Sequence, residues 1–217
     1  MKAQPLVKKQ IENLLYQALE TELGGVEVYR MARLCARHAE LREEWERYLA
    51  QTERHVLVLG KLFDTLGLDP DATTPGRLIV RDKGKTLLAA MQRALKDDPL
   101  GAEVVAAECI VDAETKDHAN WELLGALAES ASSGIKKPLT AACEEVAGEE
   151  DEHLYHAQGW CRELWLDALG LPAELPPLEE KRDVRSASEA ARATEERKPK
   201  IRKSTNGGRR PQPSSRA

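Results

Sequence analysis

Val146-Ala147-Gly148-Glu149-Glu150-Asp151-Glu152-His153-Leu154-Tyr155-His156-Ala157 lies inside a stretch whose apolar residues, Leu139, Cys143, Val146, Ala157, Trp160 and Leu164, recur at helical spacing. On that spacing Glu150 and His153 fall on the apolar stripe, three residues apart and on one face of the helix. A carboxylate buried alone is expensive, so a Glu and a His placed together in a core stripe point to a shared cation.

Working outward, the same pattern recurs in three more helices. Leu15, Ala18, Glu22, Gly25, Val26, Tyr29, Ala32 and Ala36 define a helix over about residues 5–39, with Pro5 suited to its first turn. Trp45, Leu49, Thr52, Val56, Leu59, Phe63 and Leu66 define a second over about 40–66, stopped by Gly67 and Pro70. His55 lies on it, one turn from Thr52. The third long helix is placed at about 99–130 with Val104, Glu108, Val111, Thr115 and Glu122 along one side, and the fourth at about 133–169. Between the second and third, Pro70, Pro75 and Gly76 mark a crossover that ends in a shorter helix near 83–96, broken by Asp98-Pro99.

Two hairpins joined by a long crossover predict an all-α four-helix bundle in which the second and third helices run the same way. In an antiparallel hairpin, residues equidistant from the turn lie side by side. Glu22 and His55 are equidistant from the first turn, near His38 to Glu40. Glu108 is equidistant with Glu150 and His153 from the second, near Glu129 to Gly134. Both hairpins therefore bring their polar residues to one depth, and Glu22, His55, Glu108, Glu150 and His153 form the candidate metal site. A mixed oxygen and nitrogen set suits iron, with manganese as the alternative, better than zinc, whose structural sites favour thiolate. Gly24 and Gly25 cost helix stability beside Glu22, which predicts a close backbone approach there.

The chain has 217 residues and a formal net charge of −5, unevenly spread. Residues 1–178 carry net −11 and residues 179–217 net +6, so a polyanion partner would meet the C-terminal segment. Residues 1–177 are read as the bundle domain and 178–217 as a disordered basic tail, with transient helix around 183–196. From Arg197 to Ala217 there are eight basic residues, no acidic ones and no aromatic residue to stack on bases, so nucleic acid is not the favoured partner. Cys35 falls in the first helix, Cys109 in the third, and Cys143 and Cys161 in the fourth, without a CxxC pair, and they read as reduced thiols. With no apolar signal core and no membrane-length apolar run, the expectation is a cytoplasmic protein without a membrane partner.

Over about residues 8–170 the chain resembles the ferritin-like di-iron superfamily of ferritins, bacterioferritins and rubrerythrins. Glu22-Leu23-Gly24-Gly25-Val26-Glu27-Val28-Tyr29 is similar to the first-helix motif, a glutamate ligand with a tyrosine seven residues on. Glu108-Cys109 is similar to the third-helix glutamate, and Glu149-Glu150-Asp151-Glu152-His153 to the fourth-helix carboxylate and histidine. Glu53-Arg54-His55 occupies the region of the second-helix histidine. The chain departs from the pattern at Thr52, where the family has a glutamate; an asymmetric site, a mononuclear site, and one completed by Glu53, Asp112 or water all stay open. The resemblance implies one or two iron ions per chain, oxidation of Fe(II) by O2 or peroxide, and a homodimer. The alternative reading is a non-catalytic stress-response or nucleic-acid-associated bundle with a degenerate metal site.

Overall fold

A computed structural model describes residues 7–131 and 133–206, with the side chains of Ser133 and of residues 199 onward outside the described set. Among the described residues the regular structure is entirely helical: α1 (Lys8–Cys35), α2 (Ala39–Leu66), α3 (Pro75–Asp97), α4 (Ala102–Ser130), α5 (Ser133–Ala168), α6 (Leu178–Lys181) and α7 (Ala187–Asn206). No described helix is long and apolar enough to cross a membrane.

Helices α1, α2, α5 and α4 pack as a closed ring in that order; among the described residues the backbones do not approach closely across either diagonal, where side chains meet instead, Tyr29 with His153 and His55 with Trp121. Paired contacts give the directions. Along α1 and α4, Glu22 meets Trp121, Tyr29 meets Glu114 and His38 meets Glu103, so the two run antiparallel. Along α2 and α5, Glu44 meets His156 while His55 meets Glu150, again antiparallel. His55 with Glu22 and His118 with Asp151 give the same sense to the two hairpins. Helices α2 and α4 therefore run the same way, as the long connection predicts.

That connection is mostly helix. Thr74 caps α3 by accepting from the Arg77 amide at 3.2 Å, and Pro75 occupies the first turn, where its missing N–H costs nothing. The sequence reading placed this helix at 83–96 because Pro75 and Gly76 look like loop residues; the cap turns the proline into a start signal. Helix α3 lies on the outside of the α1–α4 seam, held by buried Glu20, which accepts from Arg77 and Arg81 at 2.6 Å each. Burial works against the Glu20 carboxylate, and the two guanidiniums outweigh it, holding its pKa below the ordinary value. At the far end of α2, Gly67 takes the left-handed conformation (φ 66°) that ends the helix.

Two apolar clusters fill the interior. One gathers Leu15, Leu19, Leu59, Phe63, Trp121, Leu124, Leu139 and Val146. The other gathers Tyr29, Ala32, Leu41, Trp45, Tyr48, Ile110, Trp160 and Leu164. Each of the four ring helices passes from one cluster to the other through a buried polar layer, and that layer holds the candidate site.

Residues 178–198, expected to begin a disordered tail, pack against α5. Leu178, Val184 and Ala193 are buried, and the Arg197 guanidinium, 3% exposed, donates to both oxygens of fully buried Glu163 and to the Pro172 carbonyl. Arg162 clamps Glu179 with two bonds of 2.8 and 2.9 Å. The segment has few large apolar residues because ion pairs and small side chains anchor it, which composition does not reveal. The disorder expected beyond this stretch falls, for residues 207–217, outside the described residues.

Candidate metal centre

In the polar layer Glu22, His55, Glu114, Asp117, Glu150 and His153 are all buried, none more than 5% exposed. Two groups of three could each hold a metal ion: Glu22, His55 and Glu150 on one side, and Glu114, Glu150 and His153 on the other, with ligand atoms within 4.8 Å of one another in each. Glu150 is common to both.

The two imidazoles are held alike. His55 Nε2 lies 2.8 Å from Glu149 Oε2, and His153 Nε2 lies 2.9 Å from the Gln51 side-chain oxygen. With both Nε2 atoms engaged by outer acceptors, both Nδ1 atoms face the centre: His55 Nδ1 is 2.9 Å from Glu150 Oε1 and 3.4 Å from Glu22 Oε1, and His153 Nδ1 is 3.6 Å from Glu114 Oε2. An outer acceptor that fixes the tautomer and aims the other nitrogen is the usual support of a metal-bound histidine. The rings stack at 5.8 Å, and Tyr48 packs on His153 at 4.2 Å.

Two of the carboxylates, Glu22 and Glu114, are held by one oxygen and left open at the other. Trp121 Nε1 donates to Glu22 Oε1 at 2.7 Å, and the Tyr29 hydroxyl donates to Glu114 Oε1 at 2.7 Å. Glu22 Oε2, Glu114 Oε2, both oxygens of Glu150, Asp117 Oδ1 and His55 Nδ1 are buried without an aligned hydrogen-bond partner. Buried polar atoms are nearly always paired, so this concentration of open polar atoms in one layer calls for an explanation.

Electrostatics agree. Burial disfavours a charged His55, yet Glu150 and Glu22 outweigh it and push His55 up to about 11. Burial, with Glu22 and Glu114 adding to it against the opposing pull of His55, pushes Glu150 up to about 7. Burial and then the charges of Glu22, Glu150 and Glu114 hold Asp117 well above the usual carboxylate range. Four carboxyl groups thus share a dry layer with two imidazoles, and protons retained on His55, Glu150 and Asp117 offset charge that a bound cation would offset in their place.

Four of the sequence-derived residues, Glu22, His55, Glu150 and His153, meet here. Glu108 does not: it is exposed, and its Oε1 accepts from Trp165 Nε1 at 2.9 Å on the outside of α4 and α5. Glu114 supplies the α4 carboxylate instead. The buried face of α4 runs Ala107, Ile110, Glu114, Asp117, Trp121, Leu124, Ala128, whereas the stripe read from the sequence is exposed at Glu108, Thr115 and Glu122, with Val104 and Val111 partly buried. That buried row has helical spacing and was available in the sequence. Helix α4 is apolar on several sides because α3 covers one of them, so its periodicity marks no single face.

Thr52 is buried, with its methyl carbon 3.2 Å from where a Cβ on Gly25 would lie. The close approach inferred at Gly25 is therefore present, while a Cβ on Gly24 would meet nothing within 4 Å. Glu53 bonds Arg30 on the exposed side of α2 and does not reach the layer. Among the described residues, Asp117 is the further carboxyl group that enters it. No family model, curated protein or solved structure matches this chain.

Proposed function

We propose that this chain is a ferritin-like metal protein that binds two iron ions in its bundle core and oxidises Fe(II) with O2 or peroxide. The observation that carries the reading is the pair of buried triads sharing Glu150, with both histidines presenting Nδ1 inward and one oxygen of each terminal carboxylate left open. The residues fit the ions: Glu22 and His55 would hold one, Glu114 and His153 the other, and Glu150 would span them. Bound iron would supply the electron transfer, with manganese as the alternative metal.

The protein's own part is positional. Trp121 and Tyr29 fix the terminal carboxylates, Glu149 and Gln51 aim the imidazoles, and the apolar clusters on either side keep bulk water from the layer. Thr52 leaves the α2 side of the layer without the second shared carboxylate of the family pattern, and Asp117 adds acidity from α4. The proposal includes a homodimer, for which exposed Leu34, Leu57 and Leu123 offer apolar surface.

Of the eight basic residues from Arg197 on, on which the nucleic-acid alternative rests, Arg197 is engaged with Glu163 and Lys198 with Glu195, and the side chains of the others lie outside the described residues. The test is stopped-flow oxidation of Fe(II) by native protein and by Glu114→Ala. Oxidation well above the rate of free Fe(II), lost in the variant, is expected. A native rate equal to that of free Fe(II) would remove the oxidase reading.

A further inference from the structure

A second site lies apart from the metal layer, on the outer side of the α1–α4 wall beneath α3. It is a cavity of about 590 Å3 walled by Leu23, Val28, Val80, Leu87, Leu88 and Ala113, within the size range of small-molecule sites. Three glycines line it from facing helices, Gly24 and Gly25 of α1 and Gly84 of α3; a Cβ on Gly25 would meet Thr52, whereas one on Gly24 or Gly84 would meet nothing within 4 Å. Mid-helix glycine costs about 1 kcal/mol relative to alanine. Neither Gly24 nor Gly84 takes a left-handed conformation and neither is a tight contact, so packing of this chain gives no reason for them. What they have in common is that they keep the same space open.

Charge at the cavity is unbalanced in one direction. Glu20 is neutralised by Arg77 and Arg81, Glu27 pairs with Arg30, and Lys85 pairs with Asp82. Among the described residues Lys83 and Lys116 form no ion pair, and both line the cavity; Asp112 is the one lining carboxylate likewise without an ion pair. Lys116 reaches the neutral Asn120 Oδ1.

We propose that this cavity binds an amphipathic anion, an alkyl chain lying along Gly24 and Gly84 with a carboxylate or phosphate head on Lys83 and Lys116. The site does not depend on the metal layer, since none of its lining residues belongs to either triad.

The test is calorimetric titration of the full chain with dodecanoate below its micelle concentration, with dodecyl phosphate and dodecanol in parallel. Expected are one dodecanoate per chain, at least about tenfold weaker binding of dodecanol, and a loss of at least about tenfold in Lys83→Met, Lys116→Met. Gly84→Leu, which fills the open space and strengthens α3, is expected to keep its helical circular dichroism and to lose binding. Dodecyl phosphate bound as tightly as dodecanoate would identify charge alone as what the head supplies; weaker phosphate binding would identify a carboxylate. No binding to the native chain, equal binding of dodecanol, or undiminished binding by folded Gly84→Leu would each overturn the proposal.

Discussion

Metal binding at this layer should be strongly pH-dependent, because the lone pair a metal needs on His55 is occupied by a proton in the metal-free protein. His55 is held at about 11 against burial by Glu150 and Glu22, so it remains protonated throughout the physiological range. Loading the Glu22–His55–Glu150 side must displace that proton from Nδ1, and ligand deprotonation couples affinity to pH. One displaced proton makes log K rise by one per pH unit. Between about pH 7 and about pH 8.5 that is roughly thirtyfold, or about 2 kcal/mol. Below about pH 7 Glu150 also takes up a proton, so the slope should steepen. The sign for stability is opposite: a pKa raised in the folded state contributes stability present below the ordinary value of about 6.5 and lost as pH rises through about 11. The assay is competition of Zn(II) between the protein and a chromophoric chelator across that range, in native protein and in His55→Ala. The variant should bind more weakly and lose one proton from the slope. A native affinity flat over the range, or an unchanged slope in the variant, would refute the reasoning.

Glu114→Ala should abolish binding on one side of the layer while Glu108→Ala leaves metal content unchanged; equal loss in both variants would show that α4 presents a different face. Asp117→Asn should stabilise the metal-free protein near pH 7, because a carboxyl whose folded pKa is raised costs stability as pH climbs above about 4. Thermal melts across pH would check this, and a lower melting temperature for the variant at neutral pH would count against it. Arg197→Met leaves buried Glu163 with Arg162 at 2.9 Å and the Glu174 amide at 2.8 Å, so urea unfolding should show a loss of about 2–3 kcal/mol, at or just below the low end of the range for broken buried pairs. The double variant with Glu163→Gln should recover part of it; a loss within about 0.5 kcal/mol would mean that α7 is not anchored there.

The bundle was legible because α1, α2 and α5 each carry an apolar row interrupted at one depth, and hairpin arithmetic aligned the interruptions without coordinates. Glu22, His55, Glu150 and His153 came from that arithmetic. It failed at Glu108 because α4 packs against α1, α5 and α3, so apolar residues surround it and the polar interruption at Glu114 and Asp117 competes with an outward-facing alternative. Glu149 and Gln51, which aim the imidazoles, belong to charged and polar runs that resemble solvated surface in one dimension. The anchoring of residues 178–198 was hidden for a related reason: Arg197 looks like one more charge of a basic tail until its partner Glu163 is seen, fully buried and thirty-four positions earlier. The α3 start at Pro75 required reading a proline as a first-turn residue rather than as a breaker.

The central claim is that two metal positions share Glu150. Elemental analysis of native protein and of Glu150→Ala, each loaded with Fe(II) without oxygen and then desalted, tests it most directly. The account predicts about two irons per native chain and at most a trace in a variant that retains its helical circular dichroism. A native chain without bound iron, or a variant that keeps the native iron content, would contradict it.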